Sequence, residues 1–374
     1  MDDLITKYAP ETKKLIPQLI WDETDVKDAD GKDKIFGVPN YQVSYSQYGM
    51  AFKKDIVDKY NLADQILAVK KQSDLTPIFD IVKKGEPKLN IVKDGPWWAK
   101  EMTGDGAVSS FEDGWFVVCG DDHKVKDLSD ESFLNLWKAD TALANEWYKK
   151  GFFHKDYGIS EDLYPEVKAG KFFAWGEKYK PGVEADVKRN VGFDIMAIPL
   201  GDRMLSGVQD TLTAIGKNSE NKERAMMLIE LMNTDKYLYN LLVFGIEETH
   251  YKKVGENRIE PVPDAKYKNA AWELGCQFNA YLLPGQPDDV WEVTKKRNEE
   301  ARKPPLDGFN FDKNNLKTEQ ANITALTKQN RAIFYGLVDN YEAKLLELRD
   351  KLIKAGMTKY KEEAQKQVDA FYTK

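Results

Sequence analysis

The chain has 374 residues, 42% hydrophobic and 31% charged, which is room for two to three domains of about 100–200 residues and excludes a miniature scaffold. No run approaches the roughly 18 apolar residues of a membrane-spanning helix, and a net charge of −7 gives no general attraction to phosphate backbones or anionic lipid, which argues against nucleic acid as a partner. Two cysteines, Cys119 and Cys276, exclude a disulfide framework and a four-thiolate metal site, while 9 Trp, 18 Tyr and 17 Phe point to clefts for ligands with flat apolar faces, sugars among them.

In chain order, MDDLITKYAP places Leu4, Ile5 and Tyr8 at helical spacing, with Pro10 ending the turn and no basic end, apolar run or cleavage site of a secretory signal. Residues 31–48 predict a turn, a short strand and, after Pro39, an aromatic run in which the chain leaves one unit for another. A strand and a helix follow over 49–90, then short strands rich in glycine and tryptophan to Cys119, with Trp97, Trp98 and Trp115 close in sequence. Between 129 and 150, Phe133, Leu136, Trp137, Leu143, Ala144 and Trp147 recur at helical spacing behind a cap at Ser129 or Asp130. A short helix and a strand fill 160–176, a strand runs over 191–198, and another over 207–216. Residues 219–233 form a helix capped by Ser219 with Ala225, Leu228, Ile229 and Met232 inward. Alternating strand and helix predict an α/β architecture. After 286 the pattern turns helical, ending in 337–353 with Leu337, Tyr341, Leu345, Leu348 and Leu352 on one face.

Chemistry-bearing motifs are few. His123, His154 and His250 are isolated, with no spacing that sets two ring nitrogens on one helical face, so neither a metal nor any other cofactor is expected. There is no GxSxG elbow, Walker loop or GxGxxG turn, and GDG at 104–106 lacks a phosphate-binding helix. Cys119 sits within an apolar strand and reads as a structural thiol. The charge run 295–303 reads as a solvated helix face ended by Pro304 and Pro305. What remains are aromatics beside hydrogen-bonding groups: Tyr41-Gln42, Trp97-Trp98, Trp175, Gln209-Asp210, Glu247 to Tyr251, and Gln277-Phe278, a pattern of neutral-ligand recognition. Carboxylates are abundant enough that spacing alone leaves a glycosidase pair open.

KIFGVPNYQ (34–42), EVKAGKFFAWGEKYKPG (166–182), the run 213–251 ending in GIEETHY, and 334–371 beginning FYGLVDNYEA resemble the extracellular solute-binding proteins of ABC importers, family 1, of the lipoprotein LplA type with a DUF3502 C-terminal region. That resemblance implies a periplasmic-binding-protein-like two-lobe α/β fold (type II) with a helical C-terminal region, closing on a solute and handing it to a membrane permease. It implies a first lobe of 1–44 and 212–285 and a second of 45–211 and 286–374. The first lobe is expected to be incomplete, because the family begins with a signal peptide, a lipid-bearing cysteine and further βα units before the segment at Met1. Its members are extracellular and meet the membrane only through that lipid anchor and the permease.

GVPNYQ is similar to the family's first crossing and GVQDTLTAIGKNS (207–219) to the return, so the resemblance makes Tyr41, Gln42, Gln209 and Asp210 ligand contacts. It makes Trp175 a stacking platform, and ties Glu247, His250 and Tyr251 to the site through their shared motif. Glu248-Thr249 departs from the glycine-lysine common there. The expected function is binding of a solute, an oligosaccharide first, in an aromatic-lined interlobe cleft without catalysis; a glycoside hydrolase or other sugar enzyme is the alternative, and a peptide-binding importer component the third reading.

Overall fold

In the computed structural model the described residues are 1–27, 30, 32–96, 108–111, 114–120, 122–154, 157–158, 162–206, 211–263, 265–267 and 270–373. They divide into two units, Met1–Ser46 with Leu205–Ala301, and Gln47–Met204 with Arg302–Lys374. The first division falls between Ser46 and Gln47, within the aromatic run after Pro39. The last lies sixteen residues later than 285, because the helix Val290–Glu299 belongs to the first unit. There Asn298 accepts the Ser44 N–H at 2.9 Å and donates to the Gln42 carbonyl at 2.7 Å.

The first unit is mainly helical. Asp2–Tyr8 and Pro10–Leu15 pack on Lys222–Thr234 through Ile5, Ile16, Met226 and Ile229, joined by Ile20, Trp21 and Tyr41. Pro10 starts the second helix rather than merely ending the first, since proline at the first helical position loses no intrahelical hydrogen bond. Its strands form two-stranded ladders among the described residues, including Val38–Pro39 with Leu212–Thr213 and Tyr251–Lys253 with Ile259–Pro261. On the helix Lys222–Thr234, Met226, Ile229 and Met232 face inward and Leu228 outward, one position away from the expected stripe. Asn221 is the N-cap, and its N–H donates to Ser219 Oγ at 3.3 Å.

The second unit holds a four-stranded sheet in the order Ile195–Pro199, Tyr48–Lys53, Phe172–Lys178, Asn90–Val92, antiparallel except for the last pair. Trp175 and Ala197 both pair with Ala51, and these three lie against the helix Val183–Val191. Phe52, Ala174 and Ile198 belong instead to a core with Phe79 of the helix Thr76–Gly85, Trp147 of the helix Glu131–Lys149 and Phe152 just after it. A three-stranded sheet, Val108–Phe111, Phe116–Cys119 and Val125–Lys126, carries the other large core. Phe116, Val118 and Val125 pack there against Leu345, Leu348, Leu352, Tyr360 and Val368 of the helices Tyr341–Lys354 and Met357–Tyr372. Leu337 precedes that helical stripe and packs into the other core.

Polar clamps fix the last helix to the sheet. Gln365 accepts the Val125 N–H at 2.8 Å and donates to the His123 carbonyl at 3.0 Å. Lys361 reaches Asp130 at 2.6 Å and Asp127 at 3.7 Å, and Asp127 also accepts the Ser129 N–H and hydroxyl. Burial nevertheless pushes the Asp127 carboxyl above the usual carboxylate range, against the pull of Ser129 and Lys361. With the folded value above the unfolded one, its stabilising contribution is fully present below about pH 4 and is lost as pH rises through the folded value. Asp127→Asn removes that loss. Its melting temperature relative to wild type is expected to climb between pH 4 and 7, and a pH-independent difference would refute the assignment.

Candidate functional site

A cavity of about 520 Å³ opens within the second unit, inside the range of roughly 300–1,000 Å³ that holds small ligands. Trp115, just before the strand Phe116–Cys119, and Trp137, on the helix Glu131–Lys149, stack in parallel with ring centroids 5.3 Å apart and planes 2° apart. Phe334 meets both edge-on at 4.6 and 4.8 Å. Tyr157 lies flat on Phe153 at 3.8 Å and meets Tyr335 edge-on at 5.0 Å. Gly95 is required here: a Cβ would fall 1.8 Å from Tyr157 Oη, so only glycine lets the buried phenol reach this backbone. Burial holds that phenol well above the ordinary tyrosine value, so it stays protonated.

The polar lining is sparse. Asp94 accepts the Gly176 N–H at 2.7 Å on one oxygen and the Lys93 ammonium at 3.0 Å on the other. Arg331 donates to Tyr335 Oη at 2.9 Å and lies 4.9 Å over the Tyr335 ring, with Lys328 and Thr327 one turn before it. Asp94 is the one carboxylate among the described lining residues, and both its oxygens are engaged. Aromatic faces with a few donors and acceptors suit ring stacking and hydroxyl hydrogen bonding.

Tyr41, Gln42, Glu247, His250 and Tyr251 are not among the residues that line this cavity. Tyr41 is 4% exposed, its ring edge-on to Phe278 at 4.6 Å and its phenol pushed up to about 12 by burial. Gln42 spends its amide on Thr211 Oγ1 at 2.7 Å. Glu247, His250 and Tyr251 do come together, in the turn leading into the strand Tyr251–Lys253, but they serve that turn. Glu247 pairs with Lys253 at 3.3 Å, His250 Nδ1 accepts the Ile246 N–H at 2.9 Å, and Tyr251 packs against Ile259 and Tyr281. Glu248 has φ +62°, the left-handed conformation that favours glycine. Gln209, Asp210, Trp97 and Trp98 lie outside the described residues.

Trp175 requires a correction. It is 1% exposed, packed against Val183, Val187 and Phe193, with its indole N–H donating to Glu177 at 3.3 Å. Its pairing with the central strand directs the ring into the core, and no face is left for a ligand. Trp175→Ala is expected to cost about 3–5 kcal/mol of stability in denaturant titration while saccharide affinity is retained. Lost affinity with unchanged stability would restore the stacking role.

Sequence reasoning missed Asp94, Trp137, Tyr157, Arg331 and Tyr335 as a group. Trp137 falls on the apolar stripe of its helix, and periodicity does not separate a ring facing a cavity from one facing a core. The usable signal was FYG at 334–336, whose Phe334 and Tyr335 line the cavity.

Residues 305–373 match the family model described as a domain of unknown function, DUF3502. A carbohydrate ABC transporter substrate-binding protein of Streptococcus pneumoniae serotype 4 (strain ATCC BAA-334 / TIGR4) is 27% identical over 99% of this chain and 75% of its own length. The crystal structure of the N-glycan transport solute binding protein NgtS from Streptococcus pneumoniae superposes with a TM-score of 0.83, at 26% identity, over 99% of this chain and 81% of that one. This chain has the type II fold of ABC-importer solute-binding proteins. The same streptococcal protein in complex with Man1GlcNAc matches with a TM-score of 0.76 at 25% identity, covering 100% of this chain and 83% of that one. Residues 327–335 of the cavity wall fall inside DUF3502. No helix among the described residues is long and apolar enough to cross a membrane.

Proposed function

We propose that this protein is the substrate-binding component of an ABC importer and holds an oligosaccharide in the aromatic cavity of its second unit for delivery to a membrane permease. The carrying observation is the Trp115–Trp137–Phe334 cluster with Asp94 and Arg331: flat faces for sugar rings beside one acceptor and one donor group. Similarity to a carbohydrate substrate-binding protein and to a glycan complex of NgtS supports the same reading. Its place is outside the cell, on the outer face of the membrane, as with the lipoproteins it resembles. No reaction is expected.

A thermal-shift screen of the whole chain against oligosaccharides and peptides tests this. A bound saccharide at 100 times its dissociation constant adds about 2.7 kcal/mol of stability. Stabilisation by peptides alone would move the reading to peptide import. Cleaved product after a day with the tightest saccharide, abolished by one Asp or Glu substitution, would make the protein a hydrolase.

A further inference from the structure

DUF3502 contributes two different things to the second unit. Its helices Tyr341–Lys354 and Met357–Tyr372 brace the three-stranded sheet, as described above. The end of its helix Lys317–Gln329 and the segment from there to Gly336 also reach the cavity: Ile333 packs into the core, while Lys328, Arg331, Phe334 and Tyr335 line the cavity. Among these Arg331 is the best-oriented polar group. One N–H is committed to Tyr335 Oη at 2.9 Å and the guanidinium lies 4.9 Å over the Tyr335 ring. Tyr335 is itself set edge-on to the buried Tyr157 at 5.0 Å.

A guanidinium carries five N–H donors in a rigid plane. One hydrogen bond and the contact with the Tyr335 ring orient the exposed guanidinium, and Arg331 pairs with no carboxylate among the described residues. Its other donors are available at the cavity rim. Stacking on Trp137 or Phe334 tolerates any ring with an apolar face, whereas a fixed donor rewards only a ring whose oxygen falls in its path.

Resting on the reading that the cavity takes a saccharide, we propose that Arg331 is the specificity-determining residue, with Tyr335 as its positioning residue, so that DUF3502 in this protein reads the oxygen pattern of the bound sugar. Phe334 and the two tryptophans then supply affinity with little discrimination.

The test uses the full chain and a panel of neutral oligosaccharides that includes Man1GlcNAc, each titrated calorimetrically against wild type, R331Q, R331K and Y335F. R331Q is expected to weaken the best wild-type ligand roughly tenfold or more, the effect of losing a hydrogen bond from a charged group, and to reorder the panel. R331K should not rescue, because an ammonium lacks the planar fork that serves Tyr335 and a ligand together. Y335F should weaken binding less and reorder the panel in the same way, with the melting temperature held within about 2 °C. Wild-type affinities and ranking in R331Q and Y335F would overturn the proposal, and so would a uniform loss that leaves the ranking intact. Wild type binding no member of the panel would instead refute the saccharide reading, and the proposal with it.

Discussion

Trp137→Ala is expected to lower oligosaccharide affinity by roughly 30-fold or more, about 2 kcal/mol, because it deletes the less buried member of the cavity-lining Trp115–Trp137 stack. The ring is only half-buried, so affinity should fall by a larger factor than stability does. Trp115 should lose order as well, since its parallel neighbour and the shared Phe334 edge contact both change. Trp175→Ala has the opposite signature: a lower unfolding midpoint with binding retained. Calorimetric titration and denaturant unfolding of the two variants side by side give a crossed comparison. Unchanged affinity in Trp137→Ala would remove the cavity from consideration as the binding site.

The second large effect is expected at Gly336. Its φ is +68°, and a Cβ there would lie 2.4 Å from the Asn145 amide nitrogen and 2.7 Å from the Ala144 carbonyl carbon, backbone atoms of the helix Glu131–Lys149. Asn145 fastens the same turn, donating to the Gly336 carbonyl at 2.7 Å and to that of Val338 at 3.2 Å. Gly336→Ala therefore combines a left-handed backbone with overpacking against a helix that carries Trp137. A cost of roughly 3 kcal/mol or more is expected in denaturant unfolding. Because Phe334 and Tyr335 immediately precede Gly336, weakened saccharide binding should accompany it. Wild-type stability would mean that this turn does not pack on the helix as described.

Much of the fold was legible in the sequence where pattern and chemistry agreed. The helix Glu131–Lys149 follows from its apolar period and acidic cap, and Tyr341–Lys354 from Leu345, Leu348 and Leu352. What was not legible depends on which side of a strand or helix meets which neighbour. Trp175 looks the same in sequence whether its strand is open on that face or covered by Val183–Val191. Tyr41 and Gln42 carry ligand-binding chemistry but spend it on Phe278 and Thr211. The cavity collects residues from positions 94, 115, 137, 157, 331, 334 and 335, and only tertiary packing brings such distant positions together.

The most direct test is a crystal structure of the chain with a bound oligosaccharide, Man1GlcNAc being the first to try. A sugar ring is expected within about 4 Å of Trp137 or Phe334, with a ring oxygen or hydroxyl hydrogen-bonded to Arg331. A saccharide held elsewhere, for instance against Tyr41 and Gln42, with the cavity residues untouched, would contradict it.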